Sequence, residues 1–410
     1  ALGFIYFLKG ILEFIETGNI EDINNIHISL DVEENVLDEK SEIKYRYCTE
    51  AYLEDVNIDF KSLNEKLSQY GDSLITAGDK KKMRVHIHTN KPAEFFSTLN
   101  QHSTIIDQKV DDMLIQYNIK YNRKSEIALV TDSIADLPQK YIDENQIHVI
   151  PINLIIDNTN YLDKITITHD KFYDLVDNSE EYPTSSQPSI KSVEDKLSFI
   201  ADHYNKIIII TVSSNLSGTY QTIKSAVEKI NSDTEVEIID SKLDSGAQGL
   251  LVMEAWEKID EGKNFEDIVS YLENIKNNIY IYVSVDNFEY MVRGGRVSPL
   301  KGKLAKLLNL KPIVSLDKEG NGIAFAKAFS KKGNNKKIKE IVTKHLSEEG
   351  IKRYSIVHGD GIERAKNYKE MFTNLLGKKP DYIEPISPVI ALSAGRNSVA
   401  ISVMTKKGED

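Results

Sequence analysis

The 410-residue chain carries 51 lysines and arginines against 63 aspartates and glutamates, a formal net charge of −12. That balance, with no basic stretch interleaved with aromatics, argues against a nucleic-acid binder. The length allows two or three domains with separate cores, and the single cysteine, Cys48, excludes an internal disulfide framework and fits a reducing, cytoplasmic setting.

The opening stretch, ALGFIYFLKGILEFIETGN, is interrupted by Lys9, Glu13 and Glu16. It is shorter than the roughly 20 apolar residues a bilayer span needs. It predicts a helix ending near Gly18, since glycine accepts the left-handed conformation of a helix stop. Its apolar residues wrap most of the circumference, so something must cover it. With no initiating methionine and no cap, residues 1–20 read as the last helix of a domain that lies mostly outside the sequence, making the chain a fragment.

Residues 21–120 predict one small α/β domain with a polar, acidic lead-in. Ile43, Tyr45 and Tyr47 alternate with Lys44, Arg46 and Cys48, the period of a strand. A helix is expected near 59–69. GDSLITAGDKKKMRVHIHTN then gives a strand, a Gly-Asp turn and a second strand, and a helix follows Pro92. In RVHIHTN, His86 and His88 share one strand face, with Cα atoms roughly 6–7 Å apart. With Cys48 on another strand they offer a thiolate and two imidazoles, a three-ligand zinc set with an open fourth position. A lone HxH is more often a pair of strand histidines, and spacing alone leaves both readings open.

YNRKSE, 121–126, is polar and patternless and predicts a hinge. Short apolar strands (EIALVTDS, HVIPINLII, KIIIITVSS, VEIIDS) then alternate with amphipathic helices near 138–145, 168–177, 190–204 and 218–230. The fold class is therefore α/β, a parallel sheet flanked by helices. This lobe is expected over 126–280. A second over 281–410 brings strands such as KPIVSL and RYSIVHGD.

Candidate sites follow from the strand ends, where doubly wound sheets hold ligands. After KIIIITV come Ser213 and Ser214, then a helix starting at Ser217-Gly218-Thr219. Hydroxyls beside a helix N-terminus make a pocket for a carboxylate or phosphate. The plainer alternative is that Ser217 only caps the helix. YPTSSQPS repeats the chemistry with Thr184, Ser185 and Ser186, though it also reads as an ordinary loop. In MVRGGRVSPL, Arg293 and Arg296 flank a glycine pair and could meet a phosphate or a partner, or simply complement a helix C-terminus.

Residues 127–410 resemble the DegV family of bacterial fatty-acid-binding proteins. The motifs VTDSIADLP, TSSQPS, SSNLSGTYQ, IIDS, FEYMVRGGRV and LNLKPIV run in family order. The resemblance implies a two-lobed α/β fold holding a fatty acid in an apolar tunnel. Its carboxylate would meet Ser185 and Ser214, with Ser186, Ser213 and Thr219 close by. Two departures stand out. Ser393 occupies the place of an expected histidine, and Arg396-Asn397 replace proline-glycine; Arg396 then either supplies the missing charge or is a surface residue. The lysine-x-arginine expected after the KPI strand is absent, with Lys327, Ala328 and Phe329 in its place, so any docking through it must differ.

KYRYCTEAYL, GDSLITAGD and MRVHIHTNKP resemble the middle domain of bacterial fatty acid kinase. That resemblance implies zinc on Cys48, His86 and His88. It makes the opening helix the end of a kinase domain related to the dihydroxyacetone kinase nucleotide-binding subunit, whose ATP and magnesium sites lie outside the chain. The expected function is binding of a long-chain fatty acid and presentation of its carboxylate, for phosphorylation to acyl phosphate, to a kinase domain in cis or in trans. This places the protein in bacterial phospholipid metabolism. Transient membrane contact for lipid exchange and a homodimer are the further partners implied. The alternatives are a module for another small lipid or organic acid and, more remotely, a hydrolase with Ser214 as nucleophile and His358 as base.

Overall fold

The computed structural model describes residues 42–230, 233–286, 289–295 and 311–407. The expected opening helix and Arg296 lie outside them. The small domain contains β1 (Tyr47–Glu54), α1 (Phe60–Leu67), β2 (Gly71–Gly78), β3 (Lys82–Thr89), α2 (Pro92–Asn100) and β4 (Thr104–Asp112). Its antiparallel sheet runs β2-β3-β1-β4. Strand alternation sends Ala51, Leu53, Val85 and Ile87 into a core with Leu63 and Leu67 of α1 and Phe95 and Phe96 of α2. The other face is left to polar side chains, because residues two apart share a face. Asp59 starts α1 by accepting from the Ser62 amide at 3.0 Å.

α3 (Met113–Tyr121) leaves the small domain and packs Ile115 and Ile119 into the core that holds Val130, Val193 and Leu197. The segment expected as a hinge is tied down where it follows. Gln146 accepts from the Lys124 amide at 3.0 Å and donates to the Asn122 carbonyl at 2.8 Å. Arg46 adds a second tie, reaching Asp112 at 2.6 Å in its own domain and Asp143 at 2.7 Å in the next.

The first lobe runs through β5 (Ile127–Asp132), α4 (Gln139–Glu144), β6 (His148–Ile150), β7 (Asn153–Ile156), β8 (Thr159–Leu162), α5 (His169–Asn178) and β9 (Thr184–Ser186). It continues with α6 (Ile190–Ala201), β10 (Lys206–Thr211), α7 (Thr219–Val227), β11 (Glu235–Asp240), α8 (Ser245–Asp260) and α9 (Phe265–Ile275). The parallel sheet is ordered β11-β10-β5-β6. Ile207 and Ile209 of β10 face the α6 core, and Ile208 and Ile210 face the core around α8. That two-sided burial explains the unbroken isoleucine run.

HVIPINLII, expected as one strand, is two. Pro151 has no amide to donate and breaks the ladder. β6 stays in the parallel sheet, whereas β7 joins an antiparallel sheet ordered β8-β7-β9. The hydroxyl turn of TSSQPS is thus strand β9, with Ser185 opposite Leu154.

The second lobe comprises β12 (Ile279–Ser284), α10 (Glu289–Gly294), β13 (Lys311–Leu316), β14 (Gly322–Ala328), α11 (Lys331–Glu349) and β15 (Ile351–Gly359). α12 (Ile362–Leu376), β16 (Ile383–Pro385), α13 (Pro388–Ala394) and β17 (Ser398–Thr405) complete it. Its six-stranded sheet is ordered β14-β13-β12-β17-β15-β16, antiparallel except for β15 with β16. One apolar cluster joins Ile208 and Ile210, the α8 residues Ala247, Leu250 and Leu251, and Ile281, Val357 and Ala400 of this sheet. Helix α8 is buried on every side from Ser245 to Trp256 because it lies between the two sheets. No helix among the described residues is long and apolar enough to cross a membrane.

Candidate functional site

A cavity of about 540 Å³ opens between the lobes, beyond the carboxyl end of β10. Ile134, Ile152, Val212 and Leu216 line it from the first lobe. Ile281, Val283, Val314, Val357 and Ala400 line it from the six-stranded sheet, and Val389, Ile390 and Leu392 from α13. This size and lining suit a small apolar ligand held by few polar groups.

One group of polar residues comes from two neighbouring turns. Ser185 and Ser186 come from β9 with Gln187 just after it, and Ser217 and Gly218 lie just before α7. Gly218 is the N-cap of α7 and supplies no side-chain cap. A Cβ there would sit 1.8 Å from Gln187 Oε1, the end of a flexible side chain, so the two segments touch at this glycine. The first-turn amides of α7 and the positive end of its dipole therefore lie beside the hydroxyls, an arrangement that favours an anion. Ser393, from the end of α13, lines the same cavity.

Three of the hydroxyls expected from the sequence, Ser185, Ser186 and Ser393, thus face the cavity, and Thr219 stands behind it, 2.8 Å from Ser217 Oγ. Ser213 and Ser214 are directed elsewhere. Ser213 Oγ is buried and donates to the Gly320 carbonyl at 2.9 Å. Ser214 Oγ donates to Asp240 Oδ2 at 2.6 Å. The cause is the turn after β10, in which the Leu216 and Ser217 amides bond back to the Ser213 carbonyl at 3.0 and 3.1 Å. That reversal carries Leu216 and Ser217 to the cavity. Ser217, readable in sequence as a helix cap, is the hydroxyl this turn contributes, and its place beside Gly218 was the available signal.

The arginines are engaged by carboxylates. Arg396 meets Asp177 at 2.6 Å and Asp360 at 2.7 Å and lies 4.5 Å from the Tyr173 ring centroid. Arg293 pairs with Glu289 at 2.9 Å and covers Tyr182. Neither lines the cavity. His358 Nδ1 accepts from the Gly361 amide at 3.3 Å, and burial, then the neighbouring His169, lowers its pKa. The Ser214 hydroxyl is bonded to Asp240 and not to an imidazole, which gives no support to a Ser214–His358 hydrolase.

On the polar face of the small domain, β1 pairs with β3 so that Cys48 lies opposite His88, and Glu50 opposite His86. One ligand atom from each of Cys48, His86 and His88 lies within 4.8 Å of the others. Cys48 Sγ is 4.0 Å from His86 Nδ1. Tetrahedral zinc with bonds of roughly 2.0–2.3 Å spaces its ligands roughly 3.3–3.8 Å apart, so the donor set fits after a small contraction. Glu50 Oε1 is 3.5 Å from His86 Nδ1, and Asp72 Oδ1 is 3.9 Å from His88 Nδ1. Burial, then Asp111 and Glu50, pushes the Cys48 thiol up to about 11. A bound dication would oppose that field and favour the thiolate.

The two lobes, with a largely apolar cavity and a hydroxyl patch between them, define a two-lobed α/β protein with an added small α/β domain. Residues 126–406 match the family described as "Uncharacterised protein, DegV family", and the chain belongs to the DegV family. Residues 44–120 match the middle domain of the fatty acid kinase-like family. A DegV domain-containing protein of Clostridium acetobutylicum is 32% identical over 284 residues, 68% of this chain and 99% of that one. One from Staphylococcus aureus is 31% identical over 278 residues, 68% of this chain and 98% of that one. Among solved structures, the fatty acid binding DegV family protein of Streptococcus agalactiae aligns with a TM-score of 0.63 at 27% identity, covering 68% of this chain and 99% of that one. DegV of Bacillus subtilis, described as a fatty acid binding protein, aligns at 0.62 with 28% identity, covering 69% of this chain and all of that one.

Proposed function

We propose that this chain binds a long-chain fatty acid in the interlobe cavity and presents its carboxylate to a kinase. The ligand's carboxylate sits against Ser185, Ser186, Ser217 and Ser393 at the N-terminus of α7, and its acyl chain fills the apolar walls. The observation that carries this reading is one hydroxyl-and-amide patch on an otherwise largely apolar cavity of about 540 Å³. A buried carboxylate is tolerable only with several hydrogen-bond partners, and that patch supplies them. The relatives described as fatty acid binding support the ligand class.

The fatty acid kinase-like middle domain supports the kinase connection. A carboxylate oxygen would attack the γ-phosphorus of ATP, ADP would leave, and acyl phosphate would result. ATP and magnesium would be held by the kinase domain, in cis or in trans, in the cytoplasm. We further propose zinc on Cys48, His86 and His88. Bound there, it would cross-link β1 to β3.

Denaturing mass spectrometry of protein purified from bacteria, with a titration by hexadecanoic acid, tests the binding reading. The expected result is a co-purified long-chain acid or saturable binding by the added one. Neither being seen would overturn it.

A further inference from the structure

Asp244 stands apart from the other polar groups of the cavity. It comes from the junction of β11 and α8, away from the turns that carry Ser185 and Ser217. It lines the cavity together with apolar residues such as Ile281 and Leu316. Its Oδ1 is packed against protein and has no hydrogen-bond partner among the described residues, so a ligand in the cavity can meet this carboxylate only through the accessible surface that the residue keeps. Among the described residues, it is the one carboxylate that lines the cavity.

Structural reasons for an aspartate at this position fail one by one. Asp244 is the N-cap of α8, where an aspartate ordinarily accepts from the first-turn amides, yet its side chain makes no cap bond. Its nearby acid, Asp136, shows how this fold buries a carboxylate for structure. Asp136 is 0% exposed on its side chain and accepts from Ser245 Oγ at 2.5 Å, the Ser387 amide at 2.8 Å and Lys164 Nζ at 2.8 Å. Asp244 has nothing comparable. The chain holds it in place all the same, since Ser245 is fixed by Asp136 and takes a left-handed φ of 47°, a costly conformation for a non-glycine residue.

We propose that Asp244 receives a hydroxyl on the acyl chain of the ligand, so that the cavity selects a hydroxylated fatty acid over the plain one. A carboxylate accepts from that hydroxyl, and a protonated carboxyl both accepts and donates, so the contact forms in either state. Burial, then the charge of Asp136, raises the Asp244 pKa to about 7, in keeping with a carboxyl that lacks hydrogen-bond partners. The inference rests on the fatty-acid reading of the cavity and specifies its ligand.

The test is a set of equilibrium dissociation constants for hexadecanoic acid and for isomers with one hydroxyl moved stepwise along the chain. The wild-type protein should bind one position, with its immediate neighbours, about tenfold tighter than hexadecanoic acid. Asp244→Leu should bring that ratio near one, and Asp244→Asn, which keeps an acceptor oxygen, should retain part of it. Hexadecanoic acid bound as tightly as every isomer, or a preference that survives Asp244→Leu, would overturn the role of Asp244 and leave the fatty-acid reading standing. The isomer series in the wild-type protein decides even if a variant does not fold. No binding of any acid, plain or hydroxylated, would overturn the fatty-acid reading itself.

Discussion

The two candidate sites of this chain are assembled in opposite ways. Cys48, His86 and His88 come together through the register of two adjacent strands, one antiparallel pairing placing all three on a single sheet face. The cavity collects Ser185, Ser217, Asp244 and Ser393 from four separate junctions in two lobes. The first site is a property of local geometry. The second exists only when the lobes are closed on each other around α8. Disturbances of tertiary packing should therefore erase the cavity site and spare the sheet-face cluster.

The largest expected effect is steric. Val283→Trp puts an indole into the cavity from β12, and hexadecanoic acid affinity should fall by about 100-fold or more, read by titration. Zinc content, measured by elemental analysis, should not move.

A pH effect follows. With its folded pKa raised from 3.8 to about 7, Asp244 binds more protons in the folded than in the unfolded chain across that window. Its contribution is therefore fully present below about 4 and is lost as pH rises towards 7, by up to about 1.4 kcal/mol per pH unit. Asp244→Asn should gain stability over the wild type as pH rises through this range, in denaturant melts of ligand-free protein. Parallel curves for the two proteins would contradict the burial of that carboxyl.

The hydroxyls separate next. Ser217→Ala should weaken hexadecanoic acid about tenfold, or about 1.4 kcal/mol. Ser213→Ala should leave affinity unchanged and lower stability by about 1–2 kcal/mol, because the buried Gly320 carbonyl loses its donor. The reverse pattern would return Ser213 to the cavity. The smallest effect belongs to the sheet face. Protein prepared without chelator should hold about one zinc, and Cys48→Ser less than a tenth of that. Stripping the zinc should lower the melting temperature by a few degrees, since the sheet also rests on its own core of Leu53, Val85 and Phe96.

The same difference in assembly decided what could be read in advance. The Cys48–His86–His88 cluster was open to sequence because a period of two fixes strand faces, although spacing could not say that β1 and β3 pair. The parallel sheet was visible in KIIIITV, and the DegV motifs pointed to both hydroxyl turns. Which hydroxyls face the cavity was hidden, because the tight turn at Ser213–Ser217 reverses side-chain direction within a few residues. Helix α8 was missed because a helix buried all round has no apolar stripe to detect. Pro151 was a readable warning that HVIPINLII could not remain one strand. Asp244 gave no signal in sequence, since the helix it precedes was itself not legible.

The central claim is that the interlobe cavity holds a fatty acid by its carboxylate at the Ser185 and Ser217 turns. A crystal structure of the protein grown with hexadecanoic acid tests it most directly. The expected result is elongated density between the lobes, ending in a carboxylate within hydrogen-bond distance of Ser185, Ser217 and the first amides of α7. A carboxylate placed instead against Ser213 and Ser214, or an acid bound outside the cavity, would contradict it.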